Sequence, residues 1–186
     1  MPPPDCAMPN CDPPSADYSG APRLSLAVLE DAGRITAVAG EYTAAAVFAL
    51  EGGDRAGGFE RGIDLIIRML GRGGRPFRPH DYQLHGVSLE CFVIPGLDYV
   101  GGHNGQRDYL HLHGRHEDIA VALASLALTV RSDSLHECRL QVVVADACAA
   151  PAGWDWYGDT PACEPTGFAH GPVLALASVG VSILAL

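Results

Sequence analysis

The last 21 residues, TGFAHGPVLALASVGVSILAL (166–186), contain no Asp, Glu, Arg or Lys. A charge-free stretch of that length belongs either in lipid or in the middle of a packed domain. His170, Pro172, the run of small residues and the absence of a basic flank all argue against a tail anchor. The expectation is therefore a buried final strand, and a β-rich body able to cover it.

Other segments extend that expectation. RLQVVVA (139–145) reads as a strand buried on both faces, and VSLECFVI (87–94) and DYLHLH (108–113) read as further strands. RLSLAVLEDAGRITAVAGEYTAAAVFAL, from Arg23, reads as two strands about a turn at Asp31 to Gly33, with Leu24, Leu26 and Val28 on one face. One segment has a helical period instead. In GGFERGIDLIIRMLGRGG, Ile63, Ile66, Ile67 and Leu70 recur at i, i+3, i+4 and i+7, while Arg61, Asp64 and Arg68 fall away from that stripe, and Gly71, Gly73 and Gly74 close it. EDIAVALASLALTV (117–130) fits both periods: Ile119, Leu123, Leu126 and Val130 approximate a helical stripe with Asp118 as N-cap, yet Ile119, Val121 and Leu123 also alternate. Its Ala and Leu content tilts it toward helix. The fold class expected is α+β, a β-rich single domain with one clear amphipathic helix.

Residues 1–22 hold seven of the 14 prolines and little aliphatic content, which predicts an extended or disordered arm ahead of a single globular domain over 23–186. A chain of 186 residues can bury a core without disulfides. The six cysteines are accordingly read as reduced, and the opening MPPPDCAMPNCDPP has neither the basic nor the apolar region of a secretory signal, so an intracellular location is expected. Net charge is −10, and all 12 basic residues are arginine, a usage that points to a GC-rich coding genome. An acidic body of this kind is repelled by nucleic-acid phosphates and by anionic membranes, which argues against general nucleic-acid binding and against membrane association.

GQRDYLHLHGRHED (105–118) is the densest cluster of candidate ligands. On a strand, Tyr109, His111 and His113 share one face, and two imidazoles two residues apart suit Zn, Fe, Ni or Cu, with a carboxylate completing the set. The spacing of Gly105, His111, His113 and Glu117 resembles the first motif of the cupin superfamily, and Pro165, Gly167 and His170 resemble the second. The chain departs from the pattern at Ala124, where the first motif has glycine, at Gly158, which lies one residue too far upstream, and at Leu174, where the second motif commonly has asparagine. The resemblance implies a small β-barrel as the alternative fold, and a single Fe, Zn, Ni or Mn ion held by His111, His113, Glu117 and His170. It also implies dioxygenase or isomerase chemistry on a small molecule. The plainer reading of these histidines is a polar strand face satisfied by Asp108, Glu117, Asp118 and backbone.

Arg68, Arg72, Arg75 and Arg78 place a third of the basic charge within 11 residues, beside three glycines. Guanidinium forks at that density suit a phosphate or an acidic partner, and equally suit a helix C-terminus. GWDWYGD presents Trp154, Trp156 and Tyr157 as a stacking or interface loop, or as a lid over the core. Cys6 and Cys11 lack the second pair a zinc finger needs, and no nucleophile elbow is present. The function expected first is therefore non-catalytic: a binding, accessory or assembly protein acting through protein partners or self-association. The cupin-like metal enzyme is the alternative.

Overall fold

The computed structural model describes residues 24–29, 33–52, 62–102, 109–132, 135, 138–146 and 173–185. The proline-rich arm, Gly105, Asp108, the aromatic loop with Trp154, Trp156 and Tyr157, and the second cupin-like motif with His170 lie outside those residues.

Among the described residues, eleven strands and two helices make a strand-rich α+β architecture, in the order β1 (Leu24–Val28), β2 (Arg34–Val38), β3 (Tyr42–Ala44), β4 (Phe48–Gly52), β5 (Ile63–Leu70), α1 (Pro79–His85), β6 (Ser88–Glu90), β7 (Asp98–Gly102), β8 (Leu110–Gly114), α2 (His116–Ala124), β9 (Ala127–Thr129), β10 (Cys138–Asp146) and β11 (Val173–Leu184). Six strands form the main sheet in the order β2-β11-β10-β5-β8-β7, antiparallel except for the parallel pair β2 and β11. β3, β9 and β6 form a second sheet and β1 and β4 a third. Among the described residues these sheets are open, and no closed barrel forms.

Val173–Leu184 of the charge-free C-terminal run forms the 12-residue strand β11, seated between β2 and β10; Ala177, Val179 and Val181 are buried, whereas Leu176 and Leu184 are exposed, so the strand is buried only in part. No helix among the described residues is long and apolar enough to cross a membrane. β10 occupies the segment expected to be buried on both faces, and Leu140 to Val144 are all buried there. The stretch from Arg23 expected to be two strands about Asp31 to Gly33 is four, β1 to β4, shared among three sheets: β1 pairs with β4, β2 runs parallel to β11, and β3 pairs with β9. Only Ser88–Glu90 of the 87–94 run is strand.

The helix expected over 63–70 is strand β5, buried at all eight positions. A helix would have turned Asp64 and Arg68 outward, as the stripe suggested. Intrinsic helix preferences differ by at most about 0.7 kcal/mol per ordinary residue, whereas burying one Ile or Leu side chain contributes about 1.5–3 kcal/mol. Between β10 and β8, an extended segment buries Ile63, Leu65, Ile66, Ile67, Met69 and Leu70 together. Packing therefore overrides the period. The ambiguous 117–130 segment divides between its two alternatives, with α2 over His116–Ala124 and β9 over Ala127–Thr129. Asp118 lies in the first turn of α2, whose N-cap is Arg115.

Register assigns the two faces of the main sheet. Leu65, Ile67, Leu110, Leu112, Leu140, Val142, Val179 and Val181 share one face and join Ile119, Ala122 and Leu123 of α2 in the core. The opposite face carries Asp64, Arg68, His111, His113, Gln141 and Ser178, a row of polar groups crossing four strands.

Candidate functional site

Where β5 ends, the chain reverses through a short 3-10 turn at Arg72–Gly74, with Gly73 at φ 70° and Gly74 at φ 75°, a backbone that side chains other than glycine rarely adopt. The returning segment closes back on β5: Pro76 bridges Leu70, and the Phe77 N–H donates to the Met69 carbonyl at 2.9 Å. At Gly71 an added methyl group would meet the Phe77 ring at 3.2 Å, so the absence of a side chain lets that ring lie against the backbone. Helix α1 follows at once. Pro79 occupies its first turn, the Asp81 carboxylate accepts the Arg78 backbone N–H at 2.8 Å, and Gly86 ends it in the left-handed region at φ 59°.

Tyr82 ties this helix to the sheet. β8 pairs with β5 only from Ile63 to Ile67, so the Met69 N–H extends past the end of that ladder, and it donates instead to the Tyr82 hydroxyl at 3.0 Å. The Tyr82 ring meets Phe77 edge-on, with centroids 5.4 Å apart, and Phe77 in turn lies 5.9 Å from the His85 ring.

The turn and the helix together line an open cleft of about 500 Å³. Arg72, Arg75, Arg78, Asp81 and His85 supply its polar lining, and Pro76, Phe77 and Leu135 its apolar wall. The three arginines are exposed, and His85 Nδ1 is buried with no hydrogen-bond partner among the described residues. In a chain of net charge −10, the described lining of this concavity gathers three guanidiniums and one carboxylate.

Arg68, the fourth arginine of the expected patch, is elsewhere. It lies on β5 at 2% exposure, and its Nε donates to Gln141 Oε1 across the strand pair at 2.8 Å. Burial draws its guanidinium down to about 9, which leaves it cationic at neutral pH.

The histidine stretch forms β8, and His111 and His113 do share one face, as strand alternation requires. The carboxylate brought to both is Asp64 of β5: its Oδ1 lies 2.9 Å from His113 Nδ1 and 3.5 Å from His111 Nε2. Asp64 and His111 are buried, the His113 side chain is 30% exposed, and Asp64 Oδ2 is buried without a hydrogen-bond partner among the described residues. Glu117 is exposed in the first turn of α2. Among the described residues no group of three or more His, Cys, Asp or Glu stands in a metal-holding arrangement, so His111, His113 and Glu117 do not by themselves make the implied metal centre. What the geometry does provide is an imidazole whose Nδ1 side is fixed by a buried carboxylate.

Sequence reasoning misses Asp64, Asp81 and His85. The helical period places Asp64 off the apolar stripe, and so toward solvent. The other two sit on α1, whose signals are present: Pro79 at the start, Gly86 at the end, and Arg78, Asp81 and His85 spaced to return along one side. No family model and no curated protein matches this chain.

Proposed function

We propose that this chain is a non-catalytic binding protein whose arginine-lined cavity takes an anionic group. The observation that supports the reading is the convergence of Arg72, Arg75, Arg78 and His85 on one cavity of about 500 Å³ in an otherwise acidic protein. Pockets of that size are typical of ligand sites, and guanidinium forks match carboxylate and phosphate oxygens two at a time. The anionic group is carried either by a small ligand or by the acidic side chains of a protein partner or second copy.

The test is thermal denaturation and calorimetric titration at low ionic strength with inorganic phosphate, pyrophosphate and an oligoglutamate peptide. Light scattering over a concentration series reads self-association alongside. Binding of at least one anion, weakened by salt and lost in an Arg75→Ser/Arg78→Ser variant, is the expected result. Absence of binding by all three would overturn the proposal.

One observation favours the cupin-like metal enzyme as a second reading: His111 and His113 face a common buried carboxylate. That reading expects about one equivalent of Fe, Zn, Ni or Mn in the purified protein, lost in a folded His111→Ala/His113→Ala variant. Metal-free protein after reconstitution would end it.

A further inference from the structure

We infer that the open face of the main sheet around Gly180 is a docking surface for an extended acidic segment of a protein partner. Register builds the face. Gly180 of β11 has Arg139 of β10 opposite it on one side and Arg34 of β2 on the other, so the two arginines stand in one row across three strands. Along β11 the same face shows Leu176, Ser178, Gly180, Ser182 and Leu184. Arg34 and Arg139 are exposed, and so are Leu176 and Leu184, at 42% and 52%. None of these residues lines the cleft at the end of β5.

Hydrogen bonds position the two guanidiniums without neutralising them. Arg34 Nη1 donates to the Ser182 hydroxyl at 2.8 Å. Arg139 donates to the Ser178 hydroxyl from Nε at 3.1 Å and from Nη2 at 3.0 Å, and Nη2 also donates to the Ser178 carbonyl at 3.2 Å. These acceptors are uncharged, and a guanidinium has five N–H groups, so each fork keeps donors for a further acceptor. The described positions that β2, β11 and Arg139–Gln141 place on this face include no carboxylate. Gly180 leaves room between them: Arg34 Nε and Nη2 lie 3.4 and 3.6 Å from where its Cβ would stand. One fork thus lies over Gly180 and the other against Ser178, neighbouring positions on one face of a strand and so about 6.7 Å apart.

Charge and spacing select the occupant. On a chain of net charge −10, two exposed guanidiniums held by neutral oxygens favour an anionic partner. A second copy fits poorly, because two-fold pairing through this face sets arginine against arginine. A single small oxyanion also fits poorly, because the forks are pinned to different serines, four residues apart on β11. An extended peptide repeats its same-side residues at the same spacing of about 6.7 Å, so carboxylates at alternate positions meet both forks. Apolar side chains beyond those carboxylates reach Leu176 and Leu184.

The test is calorimetric titration of the full-length protein at low ionic strength with a short peptide of alternating Thr and Glu bearing Leu at each end, its Gln and Lys counterparts, and inorganic phosphate. The Glu peptide is expected to bind about tenfold or more tightly than the Gln peptide or phosphate, and to weaken with added salt. Arg34→Glu/Arg139→Glu, checked for native circular dichroism, is expected to lose the Glu peptide and take up the Lys peptide. Arg34→Gln/Arg139→Gln reads the same loss if the reversed pair does not fold, and Arg75→Ser/Arg78→Ser is expected to bind the Glu peptide as the wild type does. Equal affinity for the Glu and Gln peptides, phosphate binding as tight as the Glu peptide, or binding that survives substitution of Arg34 and Arg139 would each overturn the inference. Loss of the Glu peptide in Arg75→Ser/Arg78→Ser alone would move it to the cleft, overturning this inference and leaving the function proposed above standing.

Discussion

Tyr82→Phe removes one oxygen atom from a ring that is fully buried, and the structure states what that atom does. It accepts the Met69 N–H at 3.0 Å, at the point where β5 has outrun β8. Met69 is also fully buried, so after the substitution its N–H faces neither a strand partner nor water. A hydrogen bond between two satisfied groups contributes a net 0.5–1.5 kcal/mol or so, but a buried donor left unpaired costs about 1–3 kcal/mol. The larger range applies, because only one partner is deleted. The edge-on contact with Phe77 survives, so no cavity term is added. For a chain of this length, about 1–3 kcal/mol corresponds to a fall in Tm of roughly 2–12 °C, or to a urea midpoint lower by about 1 M at unchanged slope. Urea unfolding followed by far-ultraviolet circular dichroism measures it, and amide exchange at Met69 should quicken locally. A loss under about 0.5 kcal/mol with unchanged slope would refute the reasoning, because the Met69 N–H would then have found another acceptor.

Three further outcomes follow from equally specific contacts. Gln141→Leu deprives the buried Arg68 Nε of its 2.8 Å acceptor and should cost about 1.5–3 kcal/mol in the same urea assay, with a neutral result showing that Gln141 is dispensable to the cation. Gly86→Ala combines a left-handed backbone with a Cβ 2.7 Å from Arg131 Cβ, and is expected to destabilise by about 2 kcal/mol or more, where an ordinary surface substitution stays within about 0.5 kcal/mol. Burial raises the Cys138 thiol from 9.0 to about 11 and raises Cys91 in the same direction. The folded chain thus keeps protons that the unfolded chain releases, so this stabilisation is complete below about pH 9 and disappears as pH rises toward 11. Arg68, drawn down to about 9, acts in the opposite sense over the same range. The Cys138 contribution is therefore read as the difference between wild-type and Cys138→Ala stability profiles, and parallel profiles from about pH 8 to 11 would show that the thiol is not protected.

Part of the candidate site is legible in the sequence. Local arginine density singles out Arg72, Arg75 and Arg78, because residues in one turn and the start of the next helix stay neighbours in space. Arg68 belongs to the same run of letters but not to the same place, since it precedes the turn and its strand carries it into the sheet. Alternation on β8 puts His111 and His113 on one face, whereas the carboxylate that meets them, Asp64, is 49 residues from His113.

Strand character over Val173–Leu184 and in 139–145 was legible in the sequence alone, since β-branched residues recur in both and three consecutive valines favour an extended, largely covered segment, although Leu176, Leu184 and Arg139 stay exposed. So was a β-rich body long enough to cover such strands. Tertiary structure decided the rest. Ile63–Leu70 satisfies a helical period and a strand period at once, and local preferences of a few tenths of a kcal/mol per residue do not separate them. The choice was made by β10 and β8, which offer that segment hydrogen-bonding partners on both edges and bury all eight of its positions. That single decision carried Asp64 to the histidines and Arg68 to Gln141, and left the other three arginines around the cavity at the strand's end.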